Sequence, residues 1–313
     1  MRVLACPASL KGVLTAPAAA AALADGVRAG GGEAVELPVA DGGDGTAEVL
    51  HAVLGGEWMS ARVEDAFRAE HEARWLRLPD GAAVVEAAAA IPLDPHRLDP
   101  LAASSRGLGQ LLADALAAGP RELVVCLGGT ATMDGGAGLR EVVRGLHVPS
   151  RVLCDVRTTL LEAPRVFGPQ KGASPADVET LERRFGAMTE LSEVTELPGG
   201  GAAGGLGAAL AALGAELRPG ADWVLGAVGL RGRLEGVDLV VTGEGRVDAT
   251  TREGKAPAAV ARAARAAGVR CVVFGGVVES PLPGVETVAL SGDPAAAAAD
   301  LRELGRDLVA QSN

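Results

Sequence analysis

The sequence predicts an α/β protein in which residues 1–55 and 199–313 build one parallel-sheet domain and residues 56–198 form a second, inserted domain. Three observations carry this. Short apolar runs alternate with Ala-rich amphipathic stretches over 1–55 and again over 238–313, the pattern of parallel strands joined by crossover helices. The stretch between them is patterned differently, and no repeat of the solenoid kind interrupts either part.

Each element follows in order. RVLACPAS is a strand, and TAPAAAAALADGVRAG a helix with Thr15 as N-cap and Pro17 in its first turn. EAVELPVA is a second strand, after which DGGDGT opens the helix TAEVLHAVL. In the middle, ARWLRLP and AAVVEAAA form a strand pair around a PDG turn, and Pro92, Pro95 and Pro100 mark a loop. SRGLGQLLADALAAG is helical, ELVVCLGG and RVLCDVRT are strands, and SPADVETLERRFGAMT is a capped helix. The C-terminal third returns to alternation: DLVVTGEG, RCVVFGG and VETVALSG are strands, GKAPAAVARAARAAG and DPAAAAADLRELGRDLVAQ helices.

Composition narrows the function classes. A chain of 313 residues is long enough for two domains, and with aromatics at 2% and no Tyr its core must be built from Val, Leu and Ala. A formal charge of −11 argues against nucleic acid or an anionic membrane as partner. It leaves room for a small anion held by local lysines and backbone N–H groups. Cys6, Cys126, Cys154 and Cys271 are dispersed and form no CxxC, so free thiols in a reducing compartment are expected. His51, His71, His96 and His147 show no zinc spacing. Ser9 and Lys11 interrupt the apolar start too early for a secretory signal, and no run reaches membrane-spanning length, so a cytoplasmic protein is expected.

The basic residues are almost all arginine: only Lys11, Lys171 and Lys255 are lysines, and each lies next to a glycine. A compact ammonium suits a point contact with phosphate, whereas guanidinium is a planar fork. Five segments place such groups after an apolar run: PASLKG, VADGGDGT, CLGGTATMDGGAG, GPQKGAS and VTGEGRVD. Glycines allow close backbone approach to phosphate, and carboxylates in such loops hold Mg²⁺ or accept a hydroxyl proton. For any one segment a plain strand-to-helix turn is the stronger reading, as Gly and Asp are expected there; five together weaken it. No GxxxxGK[ST] occurs. Gly199 to Gly204 satisfies GxGxxG but follows Pro198 rather than a strand, which points to a helix start in close packing.

Taken in order, PASLKG, PVADGGDGT, GGTATMDGGAG, CDV, FGPQKGAS, PGGGAAGGLGAAL and TGEGRVDATTREGK resemble the glycerate kinase family, of the bacterial two-domain glycerate 2-kinase kind, over nearly the whole chain. The resemblance implies phosphorylation of D-glycerate by ATP at the 2-hydroxyl with Mg²⁺, a Rossmann-like domain with a smaller inserted α/β domain, and an active site between them. This chain departs from the family pattern at Ala8, where an aspartate is usual, and at Met133, where an asparagine is usual. Asp44 replaces a glutamate, Arg157, Thr158 and Thr159 replace Asp-Asn-Pro, and the segment before CDV is short.

The expected catalytic residues are Lys11, Asp155, Lys171 and Asp248, with Asp41 and Asp248 as Mg²⁺ ligands. Ser9, Asp41, Gly42, Gly43, Thr130, Asp134, Gly243, Glu244 and Lys255 are expected to bind substrate or phosphate. Which carboxylate is base and which holds metal stays open. Two rival functions remain: a kinase-like hydroxy-acid sensor, supported by the missing carboxylate at position 8, and a dinucleotide-dependent oxidoreductase, resting on the single GxGxxG.

Overall fold

Thr15 starts the first helix as its sequence suggests: its hydroxyl accepts from the Ala18 N–H at 3.4 Å, and Pro17, which has no N–H to satisfy, fills the first turn. Such local signals recur through a computed structural model that describes residues 1–311, the Glu253 side chain excepted. The chain runs β1 (Arg2–Pro7), α1 (Ala16–Ala29), β2 (Glu33–Glu36), α2 (Thr46–Leu54), β3 (Glu57–Glu64), β4 (Glu70–Arg77), β5 (Ala82–Glu86), α3 (Ala87–Ala90) and α4 (Arg106–Ala117). It continues through β6 (Glu122–Cys126), α5 (Ala137–Val142), β7 (Ser150–Leu153), α6 (Ala163–Phe167), α7 (Pro175–Gly186), α8 (Ala202–Ala212), β8 (Glu216–Arg218), α9 (Gly220–Ala227) and α10 (Leu230–Arg233). It ends with β9 (Leu239–Val247), α11 (Ala256–Ala266), β10 (Arg270–Val278), β11 (Glu286–Ala289) and α12 (Ala297–Ala310).

Contacts divide the chain into two units, the first made of 1–41, 48–54 and 221–313. Its five strands are all parallel, in the order β11-β10-β9-β1-β2. Counted within this sheet that is 2-1-3-4-5, a doubly wound order of the α/β class. One face sets Val3, Val241, Val272 and Phe274 against Leu23 and Val27 of α1 and Leu301 and Leu308 of α12. The other sets Val247 and Val273 against Ala258 and Ala261 of α11. Burial on both faces explains why these strands read as unbroken apolar runs.

The second unit comprises 42–47 and 55–220. Its sheet runs β3-β4-β5-β6-β7-β8, antiparallel from β3 to β5 and parallel from β5 to β8. Asp80 fixes the turn between β4 and β5, where its carboxylate accepts from the Ala82 N–H at 3.0 Å. Trp75 on β4 is buried with its indole N–H on Asp114 of α4, at 2.8 Å. The helix α7 carries a full capping box between Ser174 and Asp177.

Two features differ from the sequence reading. Residues 199–220, grouped from sequence with the chain ends, lie in the second unit because β8 pairs with β7, with Val152 opposite Leu217. The inserted unit therefore takes the longer share of the chain rather than the shorter. Strand β3 had no sequence signal of its own, since EWMSARVE is an edge strand with charged residues at both ends.

Candidate active site

In open parallel sheets ligands bind at the carboxyl ends of the strands, where the strand order reverses. In the first unit that point lies between β1 and β9, and a cavity of about 420 Å³ opens there. Its polar lining includes Ser9, Lys11, Glu244, Asp248 and Lys255; Val13, Val277 and Leu290 add an apolar wall.

Lys11 stands on a tight turn closed by reciprocal backbone bonds between Leu10 and Leu14, both 2.9 Å, with Gly12 at φ 75 supplying the reversal. Its side chain is exposed and makes no ion pair among the described residues. Glu244 sits near the end of β9 with 14% of its side chain exposed. It accepts from the Thr251 hydroxyl at 2.8 Å and from Lys255 Nζ at 3.3 Å. Burial pushes the Glu244 carboxyl up; Thr251 and Lys255 pull it down, and Asp41 adds a smaller upward push. Asp248 behaves oppositely. Its Oδ1 accepts from the Thr250 hydroxyl at 2.6 Å and the Thr250 N–H at 2.8 Å, and these bonds hold its carboxyl low. Gly243 contributes by lacking a side chain, because a Cβ would lie 2.2 Å from the Phe274 carbonyl oxygen.

The second unit collects the other predicted groups at the carboxyl ends of its parallel strands. Gly42 packs so closely on Gly220 that a Cβ would come within 2.6 Å of its Cα, and Gly128 approaches Gly43 in the same way, at 3.2 Å. Asp155, just beyond β7, accepts from the N–H of Gly220 at 2.7 Å, the first residue of α9. Asp134 is used internally: Ser105 N–H and Oγ, Gly136 N–H and Gly138 N–H all donate to it, at 2.8 to 3.1 Å. The carboxylate ties the DGGAG turn to the start of α4.

Lys171 is likewise engaged within the fold. It is only 3% exposed, at the end of a short 3-10 turn over Pro169–Lys171. Its ammonium donates to the Thr132 carbonyl at 2.8 Å and reaches Thr130 Oγ1 at 3.4 Å. Burial drives its pKa down to about 7, against the pull of Asp134.

Among the described residues no group of three or more His, Cys, Asp or Glu is placed to hold a metal ion by itself. The four cysteines are free; burial raises Cys6, Cys154 (to about 11) and Cys271 (to about 12), which suits inert thiols. Sequence reasoning missed Thr251, Ser105 and the apolar wall, because a hydroxyl or a valine carries no motif until its neighbours are known.

The glycerate kinase family model matches residues 3–143 and 140–292. The chain belongs to the glycerate kinase family. It is 36% identical to the glycerate 2-kinase of Escherichia coli K12, across 85% of this chain and 82% of that one. It is 33% identical to the glycerate kinase of Bacillus subtilis 168, across 89% and 85%. A crystal structure from Salmonella typhimurium LT2, assigned as glycerate kinase 2, superimposes with a TM-score of 0.86 at 31% identity, covering 100% of this chain and 98% of that one.

The departures from the family pattern now have surroundings. Met133 is fully buried in an apolar cluster with Leu160, Leu181 and Phe185, where an amide would need partners. Thr159 donates its N–H and hydroxyl to Glu162, and the Thr158 carbonyl accepts from Gly201, so the altered segment after CDV keeps its own bonding. At Ala8 the backbone N–H donates to the Gly243 carbonyl at 2.8 Å, which ties the Lys11 turn to β9 without a side chain.

Proposed function

We propose that the protein phosphorylates D-glycerate with ATP at the 2-hydroxyl, giving 2-phosphoglycerate and ADP. The observation that carries this reading is the cavity of the first unit, where two lysines meet two carboxylates whose proton affinities are displaced in opposite directions. Paired groups of that kind divide proton transfer from charge holding. In the reaction the glycerate 2-oxygen bonds to the γ-phosphorus, and the bond to the β,γ-bridging oxygen breaks with its electron pair leaving on ADP. The hydroxyl proton passes to a carboxylate. Glu244 suits that role, since burial raises its affinity for a proton.

Lys11 and Lys255 neutralise phosphate or substrate carboxylate, with Ser9 as a hydrogen-bonding neighbour. Gly42, Gly43 and Thr130 bring backbone and hydroxyl close to an anion in the second unit. Mg²⁺ takes one or two carboxylates and completes its shell with water and phosphate oxygens. Asp248, whose carboxyl is held low while it caps the turn through the Thr250 and Thr251 N–H groups, and Asp41, whose charge reaches Glu244, are the carboxylates that would hold it. Bound there, the ion supplies neutralisation of the transferring phosphoryl group. Free thiols and ATP as co-substrate fit a reducing cytoplasm.

A coupled assay for ADP release tests the reading. The expected result is ADP formation that depends on D-glycerate, with 2-phosphoglycerate as product. Glycerate binding without ADP release points to a sensor, and glycerate-dependent reduction of NAD to an oxidoreductase.

A further inference from the structure

The phosphoryl-transfer reading leaves one buried cation without a task. Lys171 is one of three lysines in a chain whose other basic residues are arginine, yet it lies inside the second unit. Its ammonium has three N–H donors and two recorded acceptors, Thr132 O and Thr130 Oγ1. Thr132 is itself fixed: its hydroxyl donates to the Ala103 carbonyl and accepts from the Asp134 N–H. Gly204 closes over the Thr132 carbonyl, where a Cβ would come within 2.1 Å of the oxygen. The lysine therefore bonds the loop that follows β6 at two points, Thr130 and Thr132. Asp134 is the charged group acting on it.

We infer that Lys171 is a positioning residue: it holds Thr130 and the Thr132 carbonyl in place from within the fold, and its positive charge steadies the anion that this loop meets. The inference rests on the proposed phosphoryl transfer for the identity of that anion, but the bracing of the loop does not. Compactness explains why lysine is kept. A guanidinium needs more room and spreads its donors in a plane, whereas this enclosure accepts one ammonium. Charge in a site this enclosed acts at low effective dielectric, so its loss is felt by a nearby anion.

Two measurements on Lys171→Met and Lys171→Arg test this against the wild type. In the kinase assay, the wild-type KM for D-glycerate is expected to rise roughly tenfold as pH climbs from 7 to 8.5, as the ammonium loses its proton. Lys171→Met should start from a KM raised about tenfold at pH 6.5 and show no such climb. Lys171→Arg should not restore wild-type behaviour. Equal pH dependence of KM in wild type and Lys171→Met, or full rescue by arginine, overturns the inference. Amide hydrogen exchange at Asp134, Gly136 and Gly138 gives a readout free of substrate: Lys171→Met should exchange at least about tenfold faster there. If the wild type forms no ADP with glycerate, the functional reading fails and exchange alone decides, with unchanged protection refuting the bracing. Should Lys171→Met not fold, Thr130→Val, which removes one acceptor, is expected to loosen the same amides, and unaltered exchange counts against the inference.

Discussion

Lys171 carries a stability signature that is independent of catalysis. Burial lowers its pKa to about 7, so between pH 7 and the ordinary lysine range the unfolded chain binds a proton that the folded chain does not. Stability from this group therefore rises with pH across that window and is lowest below it. The difference between Lys171→Met and wild type should shift in favour of the wild type by about 1.4 kcal/mol per pH unit from pH 7 to 9. Urea unfolding at several pH values measures it, and a pH-independent difference would contradict the buried ammonium. Glu244 makes a catalytic prediction at the same scale. Glu244→Gln keeps the shape and the Thr251 contact but cannot take a proton, so kcat should fall at least about a hundredfold with the KM for ATP little changed. A KM effect alone would reassign Glu244 to binding.

At the scale of elements, α8 shows how the glycine-rich segment works. Ala203, Gly204 and Gly205 all have positive φ, so the backbone leaves helical geometry inside the element. Gly204 also lies so near Thr132 that any side chain meets its carbonyl. The GxGxxG match is thus a packing device between α8 and the loop after β6. Gly204→Ala should cost at least about 2 kcal/mol, since left-handed strain and a backbone clash combine. Gly186→Ala is the control: nothing lies within 4 Å of its Cβ position at the end of α7, and a gain of up to about 0.5 kcal/mol is expected from helix propensity. Denaturant midpoints separate the two, and similar costs would show that the close approach is not what matters.

For the whole molecule, the family assignment makes ligand binding a stability measurement. Ligands that bind only the folded chain stabilise it by about 2.7 kcal/mol at a hundredfold excess over Kd. D-glycerate and ATP with Mg²⁺ should each raise Tm by roughly 5 °C under those conditions, whereas NAD should leave it unchanged. A shift with NAD and none with ATP would favour the oxidoreductase rival. The chain's charge of −11 makes the local lysines matter more: an anionic substrate would approach against the global field, and on the proposed reading Lys11 and Lys255, which line one cavity, would hold it.

The sequence alone determined the α/β class, the alternation at both chain ends, the PDG turn between β4 and β5 and the Thr15 and Ser174 caps. Each of these depends on hydrophobic period or on contacts within a few residues, which a linear reading can see. Only the tertiary structure decided that Asp134 is filled by Ser105, 29 residues away, and that Lys171 is buried against Thr130, 41 residues away. The same holds for β8, which the sequence reading groups with the chain ends and which joins the second unit because Leu217 pairs with Val152 on β7. A carboxylate or an ammonium looks the same in a sequence whether it faces a ligand or the core. Desolvation and the donors brought in from distant segments decide between those roles, and neither is a property of the residue's own neighbours in the chain.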